Sequence, residues 1–473
     1  MREPVNRFSP IDPSSREPIY RQIYWRFRGA ITDGVLAPGE RIPAARALAK
    51  ELGLARGTVD TAYALLTAEG YLQSRGQAGT VVAAGLNVQA AIHSREAGTL
   101  SPVSGAALRQ KSPVLPFQMA LPALDEFPRK IWAQIGARCV RATGIAEMAN
   151  PSAQGLESLR SAIAGYLHLA RGINCQPSQV FITSGYRNTL TLIVHALLQP
   201  GDRVLVENPG YSPTRQVLDY LQIGVQPVAV DQDGMQVTQA VNDSSGARAA
   251  VVTPAHQSPL CMSLSLPRRL QLLEWASRQQ AWIIEDDYDG EYRYVSRALP
   301  ALKSLDREGR VLYAGTFSKV LFPGIRIAYL VVPPAQVERF EQVAQTFLGG
   351  VPELTQAIVA TFVTEGHFAR HIQRMRKLYG ERRSAVVKGL SNALDEHIHI
   401  DAQPGGMHLI LRLARPQSDR ALVERLRHAG IYAEALSECC IGAQTHCGLM
   451  LGFANIDSQA SAERLGQKIL ALL

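Results

Sequence analysis

The first 85 residues of this 473-residue chain contain no cysteine, and the six cysteines beyond them show no metal-ligand spacing. A disulfide framework is excluded, and a reducing compartment is the plain expectation. No run of apolar residues reaches the about 18 needed to cross a membrane. The opening MREPVNRFSPIDPSSREP has no apolar core for a signal peptide, so a cytoplasmic protein is expected. There is no internal repeat. Strong charge is lacking as well: the formal balance is +8, and the first 85 residues hold eleven basic against eight acidic side chains. Such a surplus permits an anionic partner without naming one. Apolar residues make up 46% of the chain, enough for a large core.

At about 150 residues per domain the length allows roughly three domains. Ile19, Ile23, Phe27 and Ile31 recur at i+4 steps and predict a helix to about Asp33. DGVLAPGE breaks it, a short helix follows over 44–52, and a longer one runs from Arg56 to about Glu69. In that helix Val59, Ala62, Tyr63 and Leu66 form the apolar face. YLQS and TVVAA then read as a hairpin with glycines at its tip. Three helices and a hairpin outline a winged helix-turn-helix over 1–84. Residues 85–114 lack periodicity and are rich in Ala, Gly, Ser and Pro, the composition of a linker. From 115 to 473, apolar runs (QVFITS, DRVLVEN, RAAVVTP, AWIIEDD, VLYAGTF, IAYLVV) alternate with amphipathic helices. This predicts a large α/β domain built on buried parallel strands, with a smaller α+β subdomain from about 335.

A helix-turn-helix lays its second helix in the major groove, N-terminus nearest the bases. Arg56 and Thr58 open that helix, Arg46 lies beside the backbone, and Arg75, Gly76 and Gln77 form the wing tip. The plainer reading is a few surface arginines on a small helical domain. In the large domain four clusters follow strands. GTFSKVLFPGIRIAYL carries Lys319 and Arg326; AWIIEDDYDGEY carries Asp286 and Tyr288; FITSGYRN offers a helix N-terminus fit for an anion; VLVENPGYSP carries Tyr211. By itself an SxK is weak, and a carboxylate run marks a solvated loop or a divalent-metal site. Strand C-termini in an open parallel sheet converge on one crevice, so the four clusters can share a ligand. Pyridoxal 5′-phosphate (PLP) suits them all. It needs a lysine for its aldehyde, a carboxylate for its pyridine nitrogen, donors for its phosphate and an aromatic face for its ring.

The segment 18–83 resembles the GntR-type winged helix-turn-helix in PIYRQ, Gly-x-Leu-x-Pro-Gly, Ile-Pro-x-x-Arg-x-Leu-Ala, Arg-x-Thr-Val and the glycine-tipped wing. From about Leu115 onward the chain resembles a fold-type I aminotransferase, with FPRKIW, GLESLRSAIAGYL, PGDRV and GGMHL in the family's order. The two together resemble the MocR/GabR-type regulators. That resemblance implies an α+β winged helix-turn-helix followed by an α/β PLP-dependent transferase-like domain. It implies an internal aldimine on Lys319, Asp286 at the pyridine nitrogen and Tyr288 at the ring 3′-oxygen. Thr316, Ser318, Arg326 and the Ser184–Gly185–Tyr186 turn would hold the phosphate, and Tyr211 would stack on the ring. The implied partners are double-stranded operator DNA, a second copy of the chain in a head-to-tail homodimer, and a small effector. That effector is PLP itself or an amine or amino acid.

Several residues depart from these patterns. Ala55 stands where a polar cap precedes the recognition arginine, and Asp60 would repel phosphate if it faced DNA. The arginine that clamps a substrate carboxylate in such enzymes is Met450 here, with Arg412 in a neighbouring strand. The Asn-Pro-x-Gly loop reads AHQSPLCMS, leaving His256, Gln257 or Ser258 to replace the asparagine and Cys261 to replace the glycine. These changes favour a sensor with little or no transaminase turnover. The alternative is an active aminotransferase with an accessory DNA-binding domain, and turnover separates the two.

Overall fold

The computed structural model of the chain describes residues 11–12, 15, 17–76, 79–84, 113–238, 246–293, 300–401, 405–415, 417–442 and 446–473. The expected linker, up to residue 112, and Gln77 lie outside them. The chain divides into two compact units, Met1–Ser112 and Pro113–Leu473.

In the first unit α1 spans Ile19–Thr32, α2 Ala45–Leu52 and α3 Arg56–Ala68. Strands β1 (Leu72–Ser74) and β2 (Thr80–Val82) pair antiparallel as the wing. Ile23, Phe27 and Ile31 of α1 meet Val59, Ala62, Tyr63 and Leu66 of α3 in one core closed by Leu72 and Val82. The i+4 stripe thus packs inward, while Ile19 at its edge is only partly buried. Gly53 ends α2 at φ +66°, a left-handed turn that glycine adopts without a Cβ clash. Arg41 bridges to Val81 and adds a third strand position to the wing.

The second unit is built on an eight-stranded sheet. In chain order its strands are β3 (Val180–Thr183), β4 (Arg203–Asn208), β5 (Gly224–Asp231), β6 (Gly234–Met235), β7 (Ala247–Val252), β8 (Trp282–Asp287), β9 (Val311–Thr316) and β10 (Ala328–Val331). Across the sheet the order is β3-β10-β9-β8-β7-β4-β5-β6. Strands β5, β4, β7, β8 and β9 are parallel, and β10 is antiparallel to both β9 and β3. IAYLVV was expected among parallel strands; a run buried on both faces does not report direction. Because β10 reverses once between them, β3 runs in the same sense as β9. The C-terminal ends of β3, β4, β8 and β9 therefore lie along one edge.

Helices α4 (Arg129–Ala142), α5 (Glu157–Arg171), α6 (Tyr186–Leu197), α7 (Ser212–Tyr220) and α8 (Leu266–Gln279) follow or intervene. α9 (Val337–Phe347) packs Phe340 and Ala344 with Phe181 and Leu330, and α10 (Glu353–Thr364) packs Val359 and Phe362 with Leu159 and Ile182. Both belong to the cores of the large sheet, although the smaller subdomain was expected from about 335. The change of core falls inside the 28-residue helix α11 (His367–Leu394). Its Phe368 and Ile372 join the large-sheet core, whereas Met375, Val386 and Leu390 join the C-terminal one. A helix that long spans two cores, so its periodicity carries no mark of the boundary.

The C-terminal core lies under a four-stranded antiparallel sheet, β11 (Ile398–Ile400), β12 (His408–Leu413), β14 (Leu449–Gly452) and β13 (Glu434–Ala435) in spatial order. α12 (Asp419–His428) and α13 (Gln459–Leu470) complete it. Phe117 and Ala123, more than 200 residues upstream, are buried in the same core, and the Gly452 amide donates to the Phe117 carbonyl at 2.9 Å.

Candidate cofactor cavity and nucleic-acid interface

The shared strand edge opens into a cavity of about 540 Å³. Period-2 alternation along β8 decides which carboxylate faces it. Asp286 lines the cavity. Glu285 points away to accept the Leu302 and Lys303 amides at 2.8 Å, and Asp287 is held by the Arg171 guanidinium and the Tyr313 hydroxyl. Asp289 bonds His256 Nδ1 at 3.1 Å. The four carboxylates are thus divided among four sets of partners rather than gathered at one point.

Lys319, past the end of β9, lines the same cavity, its Nζ 3.5 Å from the Ala120 carbonyl. Burial lowers its pKa, opposed by the negative charges of Asp289, Glu434 and Asp286. Burial pushes the Asp286 carboxyl up to about 8 against the pull of Lys319. Beneath it Glu207 is pushed up to about 7, also by burial, and accepts from Thr253 Oγ1 at 2.5 Å and Gln257 Nε2 at 3.3 Å.

At the end of β3, Gly185 caps the N-terminus of α6 with φ +120°. A Cβ there would lie 2.7 Å from Arg326 Nη2, so only glycine lets the guanidinium sit over this helix start. Arg326 itself is held at φ +51° after the Pro323–Ile325 turn. Thr316 Oγ1 accepts from the Ser318 amide at 3.1 Å. Tyr186 sets its hydroxyl 2.7 Å from Thr214 Oγ1, and the rings of Tyr186 and Tyr211 meet edge to face at 5.7 Å. Of the ten expected cofactor residues, nine line the cavity: Lys319, Asp286, Tyr288, Tyr211, Arg326, Thr316, Ser318, Gly185 and Tyr186. Ser184 does not; it is exposed, and its amide donates to Asn188 Oδ1.

Of the three residues left to replace the loop asparagine, only Ser258 lines the cavity. Gln257 is buried and spends its amide on Glu207, Pro209 and Ser258 backbone or side-chain acceptors. His256 Nδ1 faces Asp289 and, at 3.2 Å, the Tyr288 hydroxyl. Cys261 adopts φ +66° in the glycine's place, with its thiol 3.3 Å from His408 Nε2. Burial alone would raise that thiol's pKa, but His256 and His408 hold it below its ordinary value. Asp289 stood in the sequence only as part of the carboxylate run, without its partner His256, and motif reading missed His408 and Glu434, whose partners come from other segments. Arg412 does not enter the cavity: its Nε binds Asp401 at 3.1 Å.

These donors fit PLP. A glycine cradle and an arginine stand over a helix N-terminus, and a buried carboxyl with a raised pKa shares the cavity with a lysine whose ammonium is disfavoured. A cationic pyridine nitrogen is what such a carboxyl lacks.

In the first unit Arg46 and Arg56 are exposed, Thr58 is half-buried, and Arg75 and Gly76 are exposed at the wing, Gly76 at φ +59°. Ala55 caps α3 without a side-chain hydrogen bond. Asp60 pairs with Arg56 one turn away, Nε to Oδ2 at 3.2 Å. Arg41, not singled out by sequence, is exposed and reaches the wing's Gly79, where a Cβ would lie 2.9 Å from its Nε.

Fold and site together define a winged helix-turn-helix joined to a fold-type I, PLP-dependent transferase-like body. The model for the aminotransferase class I and II family matches residues 142–449, and that for bacterial regulatory proteins of the gntR family matches residues 19–82. The probable rhizopine catabolism regulatory protein MocR of Rhizobium meliloti is 34% identical over 98% of this chain and 95% of its own. The pyridoxine biosynthesis transcriptional regulator PdxR of Corynebacterium glutamicum is 32% identical, over 95% and 94%. The crystal structure of the α-aminoadipate aminotransferase LysN of Thermus thermophilus is 26% identical, with a TM-score of 0.68 over 76% of this chain and 94% of that one. The chain belongs to the MocR-type transcriptional regulators. Among the described residues no helix is long and apolar enough to cross a membrane.

Proposed function

We propose that this regulator binds PLP in the cavity of its body and operator DNA through its winged unit, as a homodimer in the cytoplasm. Occupancy of the cavity by PLP, or by an amine effector alongside it, changes how the protein engages DNA. The observation that carries this reading is the pairing of Asp286, its carboxyl pushed up to about 8, with Lys319 in one cavity. In it Lys319 anchors the cofactor aldehyde and Asp286 holds a proton at the pyridine nitrogen. Arg326, Thr316, Ser318 and the Gly185–Tyr186 helix start bind the phosphate, Tyr211 covers the ring, and Tyr288 with Ser258 faces its 3′-oxygen. When bound, PLP supplies an electrophilic carbonyl to an amine ligand.

On the DNA side Arg56 and Thr58 face the major groove, while Arg46, Arg75 and Gly76 lie along the backbone and wing groove. The absence of a cationic side chain at Met450 favours sensing over transamination of a simple α-amino acid. Coupling requires a ligand that binds two arrangements of the protein with different affinity. Borohydride reduction of PLP-loaded protein, followed by peptide mapping, tests the cofactor assignment. The adduct is expected on Lys319; an adduct on another lysine, or none, would overturn it.

A further inference from the structure

Besides Asp286 and Asp289, two further acids, Glu434 and Glu438, line the cavity. Glu434 on β13 stands directly across from Met450 on β14 in the strand register. Both line the cavity, and Met450 is buried among Val230, Leu260, Ile410 and Leu436. Glu434 Oε1 accepts from the Tyr432 hydroxyl at 2.8 Å, and among the described residues Glu434 makes no ion pair. Glu434 and Lys319 line the same cavity, and the negative charge of Glu434 opposes the lowering of the Lys319 pKa by burial.

A census of charge shows what remains once a cofactor is in place. Among the described lining residues the only lysine and arginine are Lys319 and Arg326, and the one histidine, His408, has its Nε2 engaged by the Pro259 carbonyl at 2.9 Å and the Cys261 thiol at 3.3 Å. Arg326 lies at the Gly185 end, where a phosphate sits best. Asp289 is matched by His256, and Asp286 by the pyridine nitrogen. Glu434 is left facing the cavity, with the exposed Glu438 as the other lining acid. A ligand carboxylate would meet this acid instead of an arginine, a like-charge approach in a partly desolvated space.

We propose that the cavity selects a primary amine bearing a second cationic group, with the first amine directed to the carbonyl carbon that PLP would present at Lys319 and the second held by Glu434. This rests on the cofactor-binding reading above. The test is calorimetry on the PLP-loaded full chain with three four-carbon probes: putrescine, γ-aminobutyrate and butylamine. Putrescine is expected to bind about tenfold or more tightly than either other probe, the scale of one charge-assisted contact. In Glu434→Gln, which keeps the shape and loses the charge, that preference is expected to fall to near one. Equal or tighter binding of γ-aminobutyrate, or an unchanged preference in Glu434→Gln, overturns the proposal while leaving the cofactor reading intact. A chain that takes up no PLP, seen before any amine is added, overturns the cofactor reading and this proposal with it.

Discussion

Gly185 and Arg326 meet so closely that a side chain on the glycine would lie 2.7 Å from the guanidinium Nη2. Gly185 also sits at φ +120°, where an L side chain is strained. Gly185→Ala is therefore expected to push Arg326 out of the helix N-terminus and weaken PLP binding by about tenfold, a loss of one charge-assisted contact. Titration of the apo-protein with PLP, read by the visible band of the bound cofactor, measures this. Undiminished affinity would mean that the phosphate is held elsewhere.

Lys319 is the one lysine lining the cavity among the described residues. Lys319→Ala should abolish the visible band of the bound cofactor, whereas a change outside the cavity should not. A band that persists would reassign the anchor.

Asp286 carries two opposed predictions. Unfolded carboxyls ionise near 3.8 and 4.5, but burial holds Asp286 up to about 8 and Glu207 up to about 7. Between those values the folded apo-protein binds more protons than the unfolded chain, so stability falls as pH rises through this window. Asp286→Asn removes one of these costs and is expected to stabilise the apo-protein by about 1–3 kcal/mol. The same change should weaken PLP binding, because the pyridine nitrogen loses its anionic partner. Denaturation of the two apo-proteins at pH 5.5 and 8, paired with PLP titration, checks both signs.

Arg56 and Asp60 form an exposed i,i+4 pair at the start of α3. Such pairs contribute little to stability, about 0.3–0.5 kcal/mol, so the larger effect falls on DNA. Asp60→Asn frees the guanidinium and removes a repelling charge, and should tighten operator binding. Arg56→Ala should weaken it by about 1–3 kcal/mol if it reads a base, and reduce the salt slope by about 1 if it meets a phosphate. Operator affinity over a salt series distinguishes these. No change in either variant would place the α3 N-terminus away from the DNA.

The parts of the site that lie within single strand–turn–helix segments were legible in the sequence. The Ile19–Ile31 stripe and the strand ends follow from local spacing, whereas Lys319, Asp286, Arg326 and Tyr211 stood out as strand-end side chains whose roles only the family resemblance supplied. Pairings across the fold were not. Cys261 meets His408 147 residues away, and Glu434 faces Met450 through a two-residue strand with no periodic signal. Asp60 was visible, but as a repulsive charge; its role as the partner of Arg56 appears only when the helix is laid out. The start of the smaller subdomain, expected near 335, has no local mark in the sequence, since α11 feeds both cores without a break. The upstream segment carrying Phe117 joins that subdomain through contacts no local pattern announces.

The central claim is that occupancy of the cavity governs DNA binding. It is tested most directly by comparing the operator affinity and footprint of the full-length apo-protein with those of its PLP-loaded form, in wild type and in Lys319→Ala. A change in affinity or footprint on loading that is absent from Lys319→Ala is the predicted result. Identical affinity and footprint with and without PLP in the wild type would contradict the account.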